Sequence, residues 1–222
     1  KILLSSEGNF ELNGNIDEFK YEYYFDKNNN KVKANINLDN IPFYFDLINF
    51  KKNKEIPSSL IVDFDLKKKQ NINFNNLELI SNDNFLKINN LEISKKKKIK
   101  DFEKLILEYS NNKTDKFDMS IYNTKEKISI KSNNFNGKKI INKILEDENK
   151  SIFENLNKNI KIDISKLFID NNNYIKNVTG EIKYKNNKII KLNLDGFFNN
   201  GEALSIKTFK RNEALITNIF TH

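Results

Sequence analysis

The chain has no cysteine and no tryptophan, a single arginine at Arg211 and a single histidine at His222. Without cysteine there is no disulfide, thiolate metal site or thiol nucleophile, and the redox compartment stays open. One imidazole at the final residue gives no basis for a histidine triad or a histidine metal site. Arginine, the fork that grips phosphate and guanine, is nearly missing, which speaks against nucleic-acid recognition despite a formal net charge of +8. Glycine is scarce, and no glycine-rich phosphate loop is present. No apolar run approaches the ~20 residues of a membrane helix, and no signal peptide is visible. These absences leave no catalytic constellation. We expect no enzyme, no cofactor and no metal.

Lysine, asparagine, isoleucine and phenylalanine crowd the sequence. All four have AT-rich codons, so much of the positive charge reads as genome bias rather than as a binding signal. Hydrophobic residues make up 38% of the chain, enough to build a core. The chain starts at Lys1 rather than Met and stops at His222 just after an apolar run. We therefore expect a segment of a larger protein.

Alternation dominates the pattern. Val32, Ala34, Ile36 and Leu38 sit at every second position, with Lys33, Asn35 and Asn37 between them. Leu60, Val62, Phe64 and Leu66 repeat the rhythm, as do Phe117, Met119 and Ile121, then Ile160, Ile162 and Ile164, then Leu192 and Leu194, then Leu204 and Ile206. Period two places one set of side chains on one sheet face and the other set in water, as in antiparallel sheets with one solvated face. Asparagine clusters at 28–30, 111–112, 171–173, 186–187 and 199–200 mark the turns, because asparagine tolerates the left-handed backbone that glycine otherwise supplies.

One region departs from the β rhythm. Between Gly137 and Asn157 the apolar residues Ile140, Ile141, Ile144, Leu145, Ile152, Phe153 and Leu156 form a helical stripe. We expect one or two short helices laid on the sheet there, and a weaker helical segment from Pro42 to Phe50. Lys95 to Lys98 reads as a solvated turn. Asp63 and Asp65 share a strand face but lack further ligands for a cation.

The chain also resembles itself. Ile99-Lys100-Asp101-Phe102 matches Ile175-Lys176-Asn177-Val178 and, more loosely, Ile16-Asp17-Glu18-Phe19. A tyrosine-bearing strand, an asparagine cluster and a lysine follow each copy. Ile99 to Ile175 and Ile128 to Leu204 share an offset of 76. These landmarks divide residues 1–222 into approximate repeat units at 16–98, 99–174 and 175–222, the last incomplete. Such units form elongated arrays.

The expected fold is therefore mainly β: a long, strongly twisted antiparallel meander sheet curled into an open groove, with one or two short helices. About fifteen strands would extend the sheet ~70 Å, a size at which open sheets curl, split or flatten. The concave side would be apolar and the convex side polar. The groove lining comprises Ala34, Ile36, Leu38, Val62, Phe64, Phe117, Met119, Ile121, Ile128, Ile130, Ile162, Ile164, Leu192, Leu194, Leu204 and Ile206. An uncovered apolar strip of this size is costly in water and marks a binding site. Acyl chains fit it, because each buried CH₂ gains ~0.8 kcal/mol without directional chemistry.

Two stretches carry a family resemblance. One runs from Phe117-Asp118-Met119-Ser120-Ile121 through Ile128-Ser129-Ile130 and Asn136-Gly137 into the helical stripe. The other joins Ile162-Asp163-Ile164, Val178-Thr179-Gly180-Glu181-Ile182, Leu192-Asn193-Leu194-Asp195-Gly196 and Ala203-Leu204-Ser205-Ile206. Together they cover about half of the chain, and they resemble the AsmA-like family in its YhdP and TamB branch. The resemblance implies a segment of a repeating β-groove lipid-transfer protein. Such a protein is anchored in the inner membrane, spans the periplasm of a Gram-negative envelope and carries phospholipid toward the outer membrane. Its partners would be phospholipid or another acyl-chain lipid and neighbouring repeats of the same chain, with no nucleic acid. Two other readings stay open: a structural or adhesive β-repeat of a surface protein without a ligand, and a fragment of an outer-membrane barrel.

Overall fold

In the computed structural model the described residues are 2–25, 30–48, 50–66, 71–110, 116–139, 153–170, 172–211 and 214–221. They divide between two compact units, Lys1–Asp115 and Lys116–His222. The fold is mainly β, as the alternation requires, and the described residues form seventeen strands.

The first unit holds β1 (Ile2–Leu12), β2 (Asn15–Phe25), β3 (Asn30–Asn37), β4 (Phe43–Phe45), β5 (Phe50–Lys52), β6 (Ser58–Leu66), β7 (Ile72–Ser81), β8 (Asn84–Ile93), β9 (Ile99–Asp101) and β10 (Lys104–Ser110). Its main sheet runs β1-β2-β3-β6-β7-β8-β10, with β9 added on β8. Every pairing in it is antiparallel. β4 and β5 stand apart as a two-stranded hairpin closed by a 3₁₀ turn at Asp46–Ile48. This corrects the helical expectation for Pro42 to Phe50. Phe43, Phe45 and Phe50 form one ring cluster with centroids 5.3–6.3 Å apart, a packing that a hairpin provides and a helix of the same length does not.

The second unit holds β11 (Lys116–Asn123), β12 (Lys127–Asn136), β13 (Asn159–Phe168), β14 (Tyr174–Lys185), β15 (Lys188–Phe198), β16 (Ala203–Arg211) and β17 (Ala214–Thr221), ordered as in the sequence. One pairing departs from the antiparallel expectation: β12 and β13 are parallel. A parallel neighbour needs a connection long enough to carry the chain back to the same end, and residues 137–158 supply it. The predicted helix falls on this connection. Lys138 and Lys139 begin a helical turn, and Ile140, Ile141, Ile144, Leu145 and Ile152 lie outside the described residues. Phe153 and Leu156 are not helical. Leu156 instead donates its N–H to the Asn187 Oδ1 at 2.6 Å. Among the described residues no helix is long and apolar enough to cross a membrane.

Asparagine supplies the turns as its conformational tolerance suggests. Asn186 and Asn187, between β14 and β15, have φ of 52° and 62°. Two successive positive φ values give the turn twist that suits a tight hairpin. Asn13, Asn82 and Asn90 adopt the same region. The clusters at 28–29, 111–112 and 171 lie outside the described residues. Lys95–Lys98 forms the turn from β8 to β9, closed by Ser94 N–H to the Lys98 carbonyl at 2.9 Å. The repeat landmarks Ile128 and Leu204 each fall at the second residue of a strand, β12 and β16.

Glycine is decisive at one strand position. Gly180 in β14 has φ +152°, and a Cβ there would lie 2.0 Å from the Asn193 carbonyl oxygen on β15. Backbone cannot retreat from that approach without breaking the β14–β15 ladder. Gly180→Ala is expected to destabilise the chain by roughly 2 kcal/mol or more, the range of strained backbone combined with a steric clash. Gly14→Ala, also at positive φ but with nothing within 4 Å, should cost less. Thermal unfolding of the two variants, followed by circular dichroism, checks the order.

Candidate apolar binding surface

Strand register shows which side chains share a face. In the first unit Phe19, Tyr21 and Tyr23 of β2 oppose Ile36, Ala34 and Val32 of β3. Those oppose Leu60, Val62 and Phe64 of β6, and β6 continues to Leu79, Leu77 and Phe74 of β7. Leu86, Ile88 and Leu91 of β8 follow, then Leu107 and Leu105 of β10. The face is apolar from β2 to β10. A bulge between β6 and β7 keeps it so: the register slips by one residue after Asp63, and Phe74 still meets Phe64 with ring centroids 5.4 Å apart.

The second unit repeats the arrangement. Ile121 opposes Ile130. Ile128, Ile130 and Ser132 stand beside Ile160, Ile162 and Ile164, which oppose Ile182, Gly180 and Val178. Leu192 and Leu194 continue from Ile182 and Gly180, and Leu194 and Gly196 meet Ile206 and Leu204. Here too the strands slip to hold the face. The β14–β15 register shifts between Lys176 and Thr179, beside Asn177 at φ 51°. Ile175 and Val178, three residues apart, consequently both pack over Gly196, where a Cβ would meet their methyl groups at 2.8 and 3.5 Å. On β12, Asp118 accepts hydrogen bonds from the successive N–H groups of Asn133 and Asn134 at 3.0 Å, the two-against-one contact of a bulge.

Every residue assigned to the lining from the sequence except Leu38 lies on one of these strands. Ala34, Ile36, Leu38, Val62 and Phe64 belong to the first unit, with Leu38 just beyond β3 and held by its N–H to the Ser58 carbonyl at 2.9 Å. The other eleven belong to the second. Phe117 closes one end of its face, with its ring edge-on to Phe168 at 5.6 Å. Val62, Phe117, Ile128, Ile164 and Leu204 are buried, and the remaining eleven are half-buried. The centre of each face is hidden from water and its margins are not. Leu4 (56%), Phe25 (43%), Leu66 (38%), Ile72 (39%) and Ile219 (65%) all stay exposed. Among the described residues the one further sheet is the β4–β5 hairpin.

That hairpin covers one end of the first unit's face. Phe50 is buried and meets Tyr109 edge-on at 6.3 Å. With Phe45 and Ile48 it sits over Leu79, Leu86 and Leu107, leaving a gap of only about 20 Å³. Burial at this contact pushes the Tyr109 hydroxyl pKa up. Lys52, 2% exposed, pins the hairpin. Its ammonium donates to the carbonyls of Leu38, Asp39 (2.6 Å) and Ile41 (3.0 Å). Burial lowers its pKa, and the nearby charges of Asp17 and Asp39 oppose that fall. Asp17 holds the same loop from β2, accepting from the Asn40 N–H at 2.9 Å.

The polar face behaves differently from the expected convex back. The first unit's two larger hollows, about 750 and 470 Å³, open on it among Glu7, Lys20, Glu22, Lys33, Asn35 and Asp63, and among Glu18, Asn37 and Ser59. A twisted sheet is saddle-shaped, so either side holds hollows, and the long charged side chains raise their walls. Asp63 lies in the larger of these hollows. Burial raises its pKa, but hydrogen bonds from Asn75 (3.0 Å) and Lys31 (2.9 Å) outweigh this and the net shift is downward. Among the described residues no acidic or histidine cluster fit for a metal occurs.

Sequence reasoning missed part of the surface. Phe19, Tyr21, Tyr23 and Phe25 alternate as clearly as the chosen strands, and their rings neighbour one another at 6.0 and 6.3 Å. Leu77, Leu79, Leu86, Ile88 and Leu91 were harder to see, because the asparagine-bearing slips at Asn75 and Asn90 break strict alternation. No family model, no curated protein and no solved structure matches the chain.

Replacing Lys52 by methionine keeps the volume but removes a donor from three carbonyls; those of Leu38 and Asp39 keep the N–H groups of Ile41 (3.2 Å) and Glu55 (2.8 Å), and that of Ile41 is left unmet. An unmet buried acceptor costs ~1–3 kcal/mol before water relieves it. Lys52→Met should therefore release the hairpin and raise binding of an apolar dye such as ANS, with the main sheet's far-ultraviolet circular dichroism retained.

Proposed function

We propose that the apolar sheet faces bind the acyl chains of phospholipid, as a section of a lipid-conducting β-groove in the cell envelope. The observation that carries this reading is that each unit gathers aliphatic and aromatic side chains on one sheet face whose margins stay exposed, while the one further sheet among the described residues is the short β4–β5 hairpin. Burial of a face is the main return a sheet obtains from water, at ~25 cal/mol per Å². A face left at the margins in this way is stabilised by an apolar occupant. Hydrocarbon suits it because the face offers continuous contact and no directional polar partner. The resemblance to the AsmA-like family supports the same reading and supplies the periplasmic setting, the inner-membrane anchor and the movement of phospholipid toward the outer membrane. No residue has a catalytic role in this proposal.

One observation favours the alternative of a ligand-free structural repeat. The β4–β5 hairpin already covers part of the first unit's face with protein, as full self-packing would. Lipid content separates the two readings. Chain purified under mild conditions is expected to retain phospholipid, detectable by mass spectrometry of an organic extract. Leu194→Glu and Ile206→Glu, at opposed positions of β15 and β16, should reduce retention at least ~10-fold, since each places a charge among acyl carbons. Their unfolding temperatures should stay near that of the parent, because both sites are half-buried. Well-folded chain that is free of lipid under the same extraction would defeat the proposal.

A further inference from the structure

The polar face of the second unit carries lysines in an arrangement that works against the sheet itself. Lys183 lies directly opposite Lys191, and Lys185 opposite Lys188, on either side of the Asn186-Asn187 turn. Lys207 stands one strand further on, paired with Asn193, two residues from Lys191. All five are exposed, and none makes an ion pair with a described carboxylate. In the first unit cross-strand charges are matched, Lys20 with Glu7 at 3.1 Å, Lys31 with Asp63 at 2.9 Å and Lys87 with Glu78 at 3.0 Å, and the other opposed lysine pair of the second unit, Lys166 and Lys176, shares the Tyr174 ring at 4.1 and 5.7 Å. Like charges placed directly opposite on a sheet are destabilising. Genome bias explains many lysines, but it does not explain two unmatched opposed pairs at one end of one face.

We propose that this cluster docks the second unit on an anionic phospholipid surface. A plane of phosphates relieves the repulsion of all five ammonium groups together, and each lysine near such a surface adds to the attraction. Five flexible point charges on a sheet face match a plane whose charges are themselves mobile. Base-edge and single-strand recognition require arginine forks or stacked aromatic rings, and the cluster has neither. The patch lies on the face opposite Ile162, Leu192 and Leu194, since Lys183 and Lys191 alternate with Ile182 and Leu192. Docking therefore leaves the apolar face free and does not depend on the acyl-chain reading.

The test is cosedimentation of the full chain with vesicles of phosphatidylcholine alone or with about one-third phosphatidylglycerol, in ~0.1 M salt. The chain is expected to bind only the anionic vesicles. Lys183→Glu/Lys191→Glu should weaken that binding at least ~10-fold. Lys95→Glu/Lys97→Glu, with the same change of net charge on a turn of the first unit, should leave it within about twofold. Lys191→Glu alone should raise the unfolding temperature by ~1–4 °C, because a like-charge pair becomes an opposite-charge pair. Should the double charge reversal impair folding, Lys183→Gln/Lys191→Gln reports the same loss. Ile206→Glu separates the two functions: it should keep vesicle docking while losing retained lipid. Equal loss in the Lys95/Lys97 control, indifference to the vesicle charge, or tighter binding to a single-stranded oligonucleotide than to vesicles would each overturn the proposal.

Discussion

Exclusion of water from one side of each sheet is the interaction on which this protein depends. Backbone hydrogen bonds close the ladders, but they exchange one partner for another and contribute little net free energy. Lysine, asparagine and aspartate on the solvated side contribute less again. The return comes from the aliphatic and aromatic side, and the chain protects that side at some cost in regularity. Where alternation alone would turn an apolar residue outward, the strands slip. Phe74 stays beside Phe64 across the β6–β7 slip. Ile175 and Val178 share Gly196 across the β14–β15 slip. The bulges are the means by which a three-residue spacing is fitted to a two-residue period.

The uneven distribution of cover follows from the same constraint. In the first unit a short aromatic hairpin closes over Leu79, Leu86 and Leu107. It is held by a buried ammonium whose hydrogen bonds go to backbone carbonyls rather than to a carboxylate. Desolvating Lys52 is expensive, and three acceptors around one cation offset that expense. The hairpin is thus fixed at its base, which confines open apolar surface to the rest of the face. The exposed residues Phe25, Leu66 and Ile72 lie at the opposite ends of their strands from Ser58 and Ser81, which are buried beneath the hairpin's end of the sheet.

Charge is divided as clearly as hydrophobicity. On the first unit's polar face, lysine and carboxylate neighbours pair across strands, and the surface is nearly self-compensating. At the β14–β15 turn they do not. A composition-level view of the +8 charge misses this difference, because it weighs every lysine alike. Register separates a lysine that balances its neighbour from one that repels it.

Much of this architecture was legible from residue order. Strict alternation in Val32 to Leu38, Ile160 to Ile164 and Leu204 to Ile206 specified strands with one apolar face, because side chains of a strand point to opposite faces in turn. Asn186-Asn187 announced a turn, because asparagine accepts positive φ. The chemistry that is absent, from thiols to histidine clusters, was equally plain. Three matters awaited the tertiary structure. The parallel β12–β13 junction depends on where residue 137–158 returns the chain, and local pattern carries no information on direction. The hairpin at Phe43–Lys52 depends on a ring cluster and on carbonyls gathered from Leu38 to Ile41. The opposition of Lys183 and Lys191 depends on a register that a single-residue slip would change. Local order determines which residues seek water, whereas only the assembled sheet determines which of them become neighbours, since neighbourhood is set by pairing energies summed over whole strands.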